Sequence, residues 1–415
     1  MQTLDQPCPV TAETPAGHAH MLGLGTPWSA DGKLLALLEL PPVPSPGLAG
    51  AARICLWDPA AGTLRPIGQT RAWTPADGAW LRWLPGNTLS WAVPRGDRCG
   101  GLLFDLEREE RRELPFPVQA LHPDGAVSVG ASPARLWHYL SGRPAGWPSD
   151  GLVAPGLLAP CPREDGLWRM DLADGACRLL VSVAEAAGLG GSEEERLCLP
   201  LSAHLLADPT WNPSGTRLAF LHRCLDRSGG ERARLLSCDP DGGDLRVLAA
   251  EVRGAPVWMD DDRLCIARGR AVVPRPARLR RRLVLAAAGW RPVRRRQAIQ
   301  AGLWQVDASG GTPPSLLLPG EGIGSGAVRP QGGWLALGAA ADARALRTIR
   351  LADLDGDRVL AVARLHAGAD AAMAPIPRWD PTGRFLALDT DAAGSRQVAV
   401  LDAAAAVTAE RKLVA

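Results

Sequence analysis

The stretch "DPTWNPSGTRLAFLHR", residues 208–223, has the form of a strand, a tight turn and a second strand. Its Pro-Ser-Gly turn suits a hairpin, because glycine readily adopts the positive φ that tight turns require. Apolar runs of strand length flank the turn. Nearly the same phrase occurs near both ends of the chain, as "TPWSADGKLLALLEL" (26–40) and "IPRWDPTGRFLALDTD" (376–391). A recurring hairpin indicates an assembly of similar units.

Seven passages share this inner hairpin. They lie at 26–38, 81–93, 119–131, 208–221, 255–267, 326–338 and 376–388. Each is followed by a second hairpin whose first strand ends at an aspartate, which can accept bonds from amides of the next turn. These aspartates are Asp58, Asp105, Asp171, Asp239, Asp307, Asp353 and Asp402. Two hairpins make a four-stranded antiparallel blade, so the sequence predicts an all-β, seven-bladed β-propeller, a single domain over residues 1–415.

Five tryptophans occupy one equivalent position of the inner hairpin. They are Trp28, Trp83, Trp211, Trp258 and Trp379. We interpret them as a core stripe between blades, with a ligand platform as the alternative. Either terminal segment is expected to complete a blade and close the ring. Residues 180–189 are expected to form one or two helical turns.

Composition narrows the classes of function. Hydrophobic residues make up 46 % of the chain and the net charge is +2, which favours a globular protein over a membrane or nucleic-acid binder. No run of about 18 apolar residues occurs. The N-terminus lacks the basic start and apolar middle of a signal peptide. The nine cysteines are an odd number without a C-x-x-C pair, so reduced thiols and a cytoplasmic location are expected.

The segment 268–296 holds eleven arginines and no acidic residue. It is predicted to be an insertion, 268–298, within blade five. Such a patch suits an anionic partner, either a polyuronate, a nucleic acid or an acidic protein. Trp290 is its only aromatic residue, so stacking on single-stranded nucleic acid is poorly supported. A solvated loop is the alternative.

Three stretches together resemble the oligogalacturonate lyase-like propellers, a branch of the TolB-like and WD40-like group. They are "TPWSADGKLLAL", then "DGLWRMDLADGACRLLVSVAE" (165–185) followed by "HLLADPTWNPSGTRLAFLHR" (204–223), and "RWDPTGRFLALDTDAAGSRQVAVLD" (378–402). The similarity runs in order along nearly the whole chain. It implies a lyase that cleaves uronate oligosaccharides by β-elimination, with a divalent metal, often manganese, holding the uronate carboxylate.

The chain departs from the histidine pattern of that family. Histidines would be expected at the starts of inner strands, where this chain has Ala255 and Pro256 in blade five and Ile376 and Pro377 in blade seven. The seven histidines offer no three-His site at matching positions. We therefore predict a divergent, non-catalytic propeller that binds a glycan, another small anion or a protein partner, with the lyase as the alternative. No metal or cofactor is expected, and Mn²⁺ would be needed only in the lyase alternative.

Several residues are candidates for a site. In the lyase alternative His204 or His138 would act as base, while Arg135 and Arg223 would hold carboxylates through the planar guanidinium fork. His222 and Asp208 lie beside His204 in the same hairpin, and Trp137 could stack on a sugar. Structural histidines, surface ion pairs and packing of a long loop are the alternatives for these residues.

Overall fold

The computed structural model describes most of the chain. Outside the described residues lie 1, 6, 42–49, 76, 97, 142–158, 191–202, 226–230, 270–298, 321–322, 340–341, 343, 357, 367–375, 392–393 and 409–415, together with the side chains of 2–4, 140–141 and 323–325. The Arg-rich insertion predicted at 268–298 falls almost entirely outside the described residues. Among the described helices, none has the length and apolar character that a membrane crossing requires.

The described residues are mostly β-strand. In chain order the strands are β1 (Gln2–Asp5), β2 (Val10–Glu13), β3 (Ala19–Leu22), β4 (Leu35–Leu40), β5 (Ala52–Asp58), β6 (Thr63–Thr70), β7 (Arg82–Leu84), β8 (Thr88–Arg95), β9 (Arg98–Asp105), β10 (Glu110–Leu114), β11 (Ala120–Leu121), β12 (Val127–Ala131), β13 (Gly166–Asp171), β14 (Cys177–Ser182), β15 (Ala203–Trp211), β16 (Leu218–Leu225), β17 (Glu231–Cys238), β18 (Arg246–Ala250), β19 (Val252–Trp258), β20 (Arg263–Arg268), β21 (Gly302–Asp307), β22 (Ser315–Pro319), β23 (Ile323–Val328), β24 (Trp334–Ala339), β25 (Leu346–Asp353), β26 (Arg358–His366), β27 (Arg378–Trp379), β28 (Phe385–Thr390) and β29 (Gln397–Asp402). The helices are a 3₁₀ turn (Gly78–Trp80), α1 (Pro133–Leu136), a π-helical turn (Trp137–Ser141), α2 (Val183–Gly188) and α3 (Ala404–Thr408). The helix expected within 180–189 is thus α2.

The strands form seven sheets, which confirms the predicted seven-bladed propeller. Blades one to five have the orders β3-β4-β5-β6, β7-β8-β9-β10, β11-β12-β13-β14, β15-β16-β17-β18 and β19-β20-β21-β22. Blade six is β23-β24-β25-β26 and blade seven is β27-β28-β29, each with an added strand from the N-terminal segment. Blade seven also packs against blade one through β28 and β3, so the ring is closed.

The N-terminal segment joins the last two blades. β2 pairs antiparallel with β29 and supplies the fourth strand of blade seven, as expected for ring closure. β1 pairs parallel with β26 and adds a fifth strand to blade six, which the sequence did not predict. The parallel pairing is a non-local contact that leaves no signature in turn residues.

The aspartates at the strand ends make the predicted turns. The side chain of Asp58 accepts bonds from the amides of Ala60 and Ala61, and Asp105 binds two amides in the same way. Asp171, Asp307, Asp353 and Asp402 each accept an amide two residues on. Asp239 instead accepts from Arg217, 2.6 Å away. The seven aspartates therefore have structural partners.

Most of the repeat tryptophans connect neighbouring blades. The indole N–H groups of Trp28, Trp83, Trp258 and Trp379 donate to backbone carbonyls of the preceding blade, at 2.8–3.2 Å. All are at most 7 % exposed. Trp211 differs, since its buried Nε1 has no hydrogen-bond partner among the described residues and its ring contacts His122 of blade three edge-on. The position is a core stripe, and blade four alone leaves its indole donor unused.

Candidate axial site

The inner strands surround a cavity of about 1000 Å³ on the propeller axis. In six blades the residue just before the tryptophan position contributes to its wall. These residues are Arg82, Leu121, Thr210, Val257, Val328 and Arg378. The cavity is large enough for an oligomeric small ligand, since such pockets commonly range from about 300 to 1000 Å³.

Irregular inner strands shape this wall. The pairing register shifts between Ala207 and Thr210 in blade four and between Arg253 and Val257 in blade five. Such bulges bend a strand and redirect its side chains. Asp208, within the first bulge, has a φ of 52° in the left-handed region, which non-glycine residues adopt at a cost. The bulge places the Asp208 side chain on the cavity wall.

Two arginines on the wall form no salt bridge with a carboxylate in the described part of the chain. Arg82 donates to the carbonyl oxygen of Gln119 at 2.5 Å, and Arg378 donates to that of Leu24 at 3.2 Å. Neither has a carboxylate oxygen within 4.0 Å among the described residues, and Arg82 Nε is buried without a hydrogen-bond partner. Burial and the nearby Arg378 charge lower the pKa of Arg82 to about 10. Burial also lowers the pKa of Arg378 to about 10, against the opposing effect of the Asp389 carboxylate. Both guanidinium groups therefore remain charged at neutral pH.

Blade four contributes an ion-pair cluster to the wall. Arg223 donates to Asp208 at 2.5 Å and to Glu231 at 2.7 Å. The neighbouring carboxylates raise the pKa of Arg223 despite the opposing effect of burial. The predicted ligand-binding residues Asp208 and Arg223 therefore lie on the cavity, but they bind each other in this structure.

Blades five to seven make the wall apolar. Ala255, Pro256, Val257, Val328 and Ile376 line it. Ala255, Pro256 and Ile376 stand where the family resemblance would place histidines, while Pro377 is buried. This part of the cavity offers apolar contact and few hydrogen-bonding side chains.

His204 and His222 lie behind the wall in a buried hydrogen-bonded chain. Arg234 Nε donates to His222 Nδ1 at 3.0 Å, and His222 Nε2 is 3.0 Å from His204 Nδ1. Because His222 Nδ1 accepts, its proton is on Nε2 and is donated to His204. Burial and the arginine charges lower the pKa of His204 to about 4 and lower that of His222 well below its usual value. Both rings are therefore neutral at pH 7, and neither lines the cavity.

Arg135 is also held away from the cavity. It is 4 % exposed and donates to the carbonyl oxygen of His204 at 2.9 Å from Nε. A terminal nitrogen of Arg135 bonds to the carbonyls of Ala159 and Pro160. Its guanidinium lies 3.9 Å from the buried carboxylate of Asp165. In this structure Arg135 anchors the chain between blades three and four.

Trp137 and His138 occupy the π-helical turn. Trp137 is buried, stacks on Trp80 with centroids 5.8 Å apart, and donates to Asp77 at 3.2 Å. Trp80 and Asp77 line the cavity, so Trp137 lies one layer behind them. His138 is exposed, with its ring edge-on to Tyr139. The structure therefore brings together Asp208 and Arg223 on the cavity but not the other predicted site residues.

The wall does not fit a manganese site. Its carboxylates are Asp77, Asp208 and Glu231, and it has no histidine among the described residues. Asp208 and Glu231 bind Arg223, and Asp77 accepts bonds from Thr74 and Trp137. Within the described ranges no three His, Cys, Asp or Glu side chains converge as metal ligands do. Two carboxylates that share an arginine do not supply the number of ligands that a bound divalent metal requires.

Arg82 and Arg378 were missed as candidates at the sequence level. Both directly precede a repeat tryptophan, in "LRWLPGN" and "IPRWDP". Aligning the seven repeats on the tryptophan would have shown that the preceding position recurs around one axis. The signal is thus the position before the tryptophan, and it does not involve the histidines.

No protein-family model matches the chain, and no curated protein matches it. In structure it is similar to oligogalacturonate lyase from Vibrio parahaemolyticus, with a TM-score of 0.57 at 10 % identity over 94 % of this chain and 92 % of that chain. It is also similar to the β-propeller domain of the Trilobed protease from Pyrococcus furiosus, with a TM-score of 0.50 at 11 % identity over 93 % and 95 %. Identities this low show the fold alone. The chain is therefore a seven-bladed β-propeller whose fold is similar to that of oligogalacturonate lyase.

Proposed function

We propose that the protein is a binding propeller that holds a small carboxylate-bearing ligand in its axial cavity without cleaving it. The observation that carries this proposal is the pair Arg82 and Arg378, two charged guanidinium groups on one cavity wall that form no salt bridge among the described residues. A cation removed from water is costly unless an anion or several acceptors replace the lost hydration. A ligand carboxylate would supply that compensation.

The arrangement suits carboxylate recognition in its geometry. Guanidinium groups bind carboxylates through paired N–H donors, and such charge-assisted bonds are roughly twice as strong as neutral ones. Arg82 and Arg378 come from blades two and seven, which flank blade one. A carboxylate between them would relieve their mutual repulsion, and this repulsion is what lowers the pKa of Arg82 beyond the effect of burial.

Calorimetric titration with trigalacturonate tests this proposal. We expect binding to the wild-type protein, and at least ten-fold weaker binding to the Arg82→Gln/Arg378→Gln double variant, because each lost charged hydrogen bond costs about 1.5–3 kcal/mol. Arg98→Gln is the matched control, since Arg98 is exposed in blade two and does not line the cavity. Equal affinities in the three proteins would contradict a carboxylate site at these arginines.

Cleavage of uronate oligosaccharides is the second candidate function, and the fold likeness to the Vibrio parahaemolyticus enzyme is what favours testing it. Ultraviolet absorbance reports the unsaturated product of β-elimination. We expect no rise with galacturonate oligomers, with or without manganese. A metal-dependent rise that His204→Ala abolishes would show an active lyase. A partner for the Arg-rich segment 268–298 is a separate proposal from composition alone.

A further inference from the structure

The axial cavity has walls of opposite charge, which bears on the class of ligand. This inference rests on the proposed function and refines it. Arg82 and Arg378 belong to blades two and seven, on either side of blade one. Blade four lies across the axis in a ring of seven. There, Arg223 is shared by Asp208 and Glu231, so one cation faces two carboxylates and the cluster carries a net charge of about −1.

The blade-four carboxylates have unused acceptor capacity. Arg223 binds Oδ2 of Asp208 and Oε1 of Glu231, and among the described residues the other oxygen of each carboxylate accepts no hydrogen bond. The side chains of Asp208 and Glu231 are 27 % and 43 % exposed, so both can be reached from the cavity. A cationic donor on the ligand would complete this cluster.

The wall also carries unused donors. Arg82 Nε, Arg223 Nε and Trp211 Nε1 are buried without acceptors among the described residues, and all three residues line the cavity. Trp211 is 8 % exposed and ends the same strand that carries Asp208. Buried donors of this kind are normally satisfied, so they indicate a ligand with carbonyl or carboxylate acceptors.

The remaining wall favours apolar groups of a ligand over hydroxyl groups. Ala255, Pro256, Val257, Val328 and Ile376 would desolvate sugar hydroxyls without offering side-chain partners. The same surface would favour aliphatic side chains by burial of apolar area. A peptide combines aliphatic side chains with backbone carbonyl acceptors.

We infer that the ligand is a short apolar peptide with free termini. Its C-terminal carboxylate lies between Arg82 and Arg378, and its N-terminal ammonium lies against Asp208 and Glu231. Its aliphatic side chains contact the wall from blades five to seven. Tight binding therefore requires a charge on both termini of the peptide. The distance between the two charged sides of the cavity selects the length of the peptide.

Alanine peptides of three to five residues test this inference by calorimetry. Each is prepared with free termini, with an acetylated N-terminus and with an amidated C-terminus. At the preferred length, we expect the free form to bind at least ten-fold more tightly than either blocked form. The double variant Asp208→Asn/Glu231→Gln should bind the free peptide and the acetylated peptide equally well. The double variant Arg82→Gln/Arg378→Gln should bind the free peptide and the amidated peptide equally well. Asn tolerates the left-handed backbone of Asp208, so this variant is expected to fold.

The controls are Arg98→Gln and Glu110→Gln, exposed residues of blade two away from the cavity. Circular dichroism and a thermal melt establish that each variant is folded. Two results would overturn this inference and leave the proposed function intact. In the first, N-acetylation does not change the affinity for the peptide. In the second, no peptide binds, while trigalacturonate binds in a way that depends on Arg82 and Arg378. Failure of every carboxylate probe to bind would overturn both.

Discussion

At the scale of single residues, the buried chain from Arg234 through His222 to His204 has a fixed direction of hydrogen bonding. Arg234 cannot accept, so each histidine accepts on one ring nitrogen and must stay neutral to do so. A proton added to His222 Nδ1 would face the Arg234 donor. The chain therefore stabilises the junction of blades three and four only while both imidazoles are uncharged.

This gives a prediction for acid stability. The folded pKa of His204, about 4, lies below the ordinary 6.5, so the unfolded chain binds the proton first as pH falls. Stability from this neutral histidine is complete above pH 6.5 and is lost from there down to about pH 4, by roughly 3 kcal/mol for a shift of this size. His204→Gln keeps an acceptor for His222, so its urea midpoint should fall less between pH 7 and 4.5 than that of the wild type.

His366→Gln is the control for this experiment, because His366 is exposed at the end of β26. It should show the wild-type dependence on pH. If His204→Gln shows that same dependence, the buried pair does not control acid stability.

Sequence reasoning at this scale identified His204, His222, Asp208 and Arg223 as neighbours in one hairpin, because residues of a hairpin pair locally. It could not show that the histidines turn away from the axis. The bulge between Ala207 and Thr210 and the distant Arg234 and Arg135 decide that orientation. Arg234 is the cross-strand partner of His222 within blade four, whereas Arg135 reaches His204 from the segment that precedes the blade. The local pattern of a single sequence does not encode the directions in which these side chains point.

At the scale of the element, turn chemistry made the blades predictable, whereas the edge strands were harder to predict. Asp-Gly and Pro-Ser-Gly turns mark hairpins locally, so the seven repeats matched seven sheets. In blade one, however, the innermost strand β3 ends at Leu22, and only a single bridge joins Trp28 to Leu35. The prediction for residues 26–38 is thus correct for the strand β4 and the turn before it, while the innermost strand β3 lies earlier in the chain than predicted.

The strand β2 provides a prediction about ring closure. Removing residues 1–14 should expose the edge of β29, because the carbonyl of Val398 loses the amide of Thr14 and the amide of Asp402 loses the carbonyl of Pro9. We expect the melting temperature to fall by more than about 5 °C, with aggregation on heating. Removing residues 1–7 alone takes away β1 and leaves the β2 pairing, so it is the matched control. If the protein without residues 1–14 melts at the same temperature as the full-length protein, blade seven is stable with three strands.

At the scale of the whole molecule, the tryptophan contacts link the blades into one unit. Trp83 donates to Pro27 of blade one at 2.8 Å, and Trp379 donates to Ala327 of blade six at 3.0 Å. Each bond satisfies a carbonyl at a seam where adjacent inner strands meet. The ring therefore depends on several equivalent contacts placed around the axis.

Trp83→Phe and Trp379→Phe should each lower the free energy of unfolding by about 0.5–1.5 kcal/mol, since each removes a hydrogen bond that joins two blades. The double variant should show the sum of the two losses, because the seams are separate. Urea denaturation measures both. Trp304→Phe is the control, since the Trp304 indole bonds locally to Gln300 at the surface. A loss for Trp304→Phe as large as for Trp83→Phe would argue against a special role of the seam bonds.

The pairing of β1 with blade six and of β2 with blade seven also sets an order of events during protein synthesis. These first strands leave the ribosome long before their partners β26 and β29, which lie more than three hundred residues later in the chain. Blades one to five can form as they emerge, since their pairings are internal. The strands β1 and β2 must stay unpaired until β26 and β29 have been synthesised. The nascent protein is therefore an intermediate with unpaired strand edges. Chaperones protect such edges from aggregation.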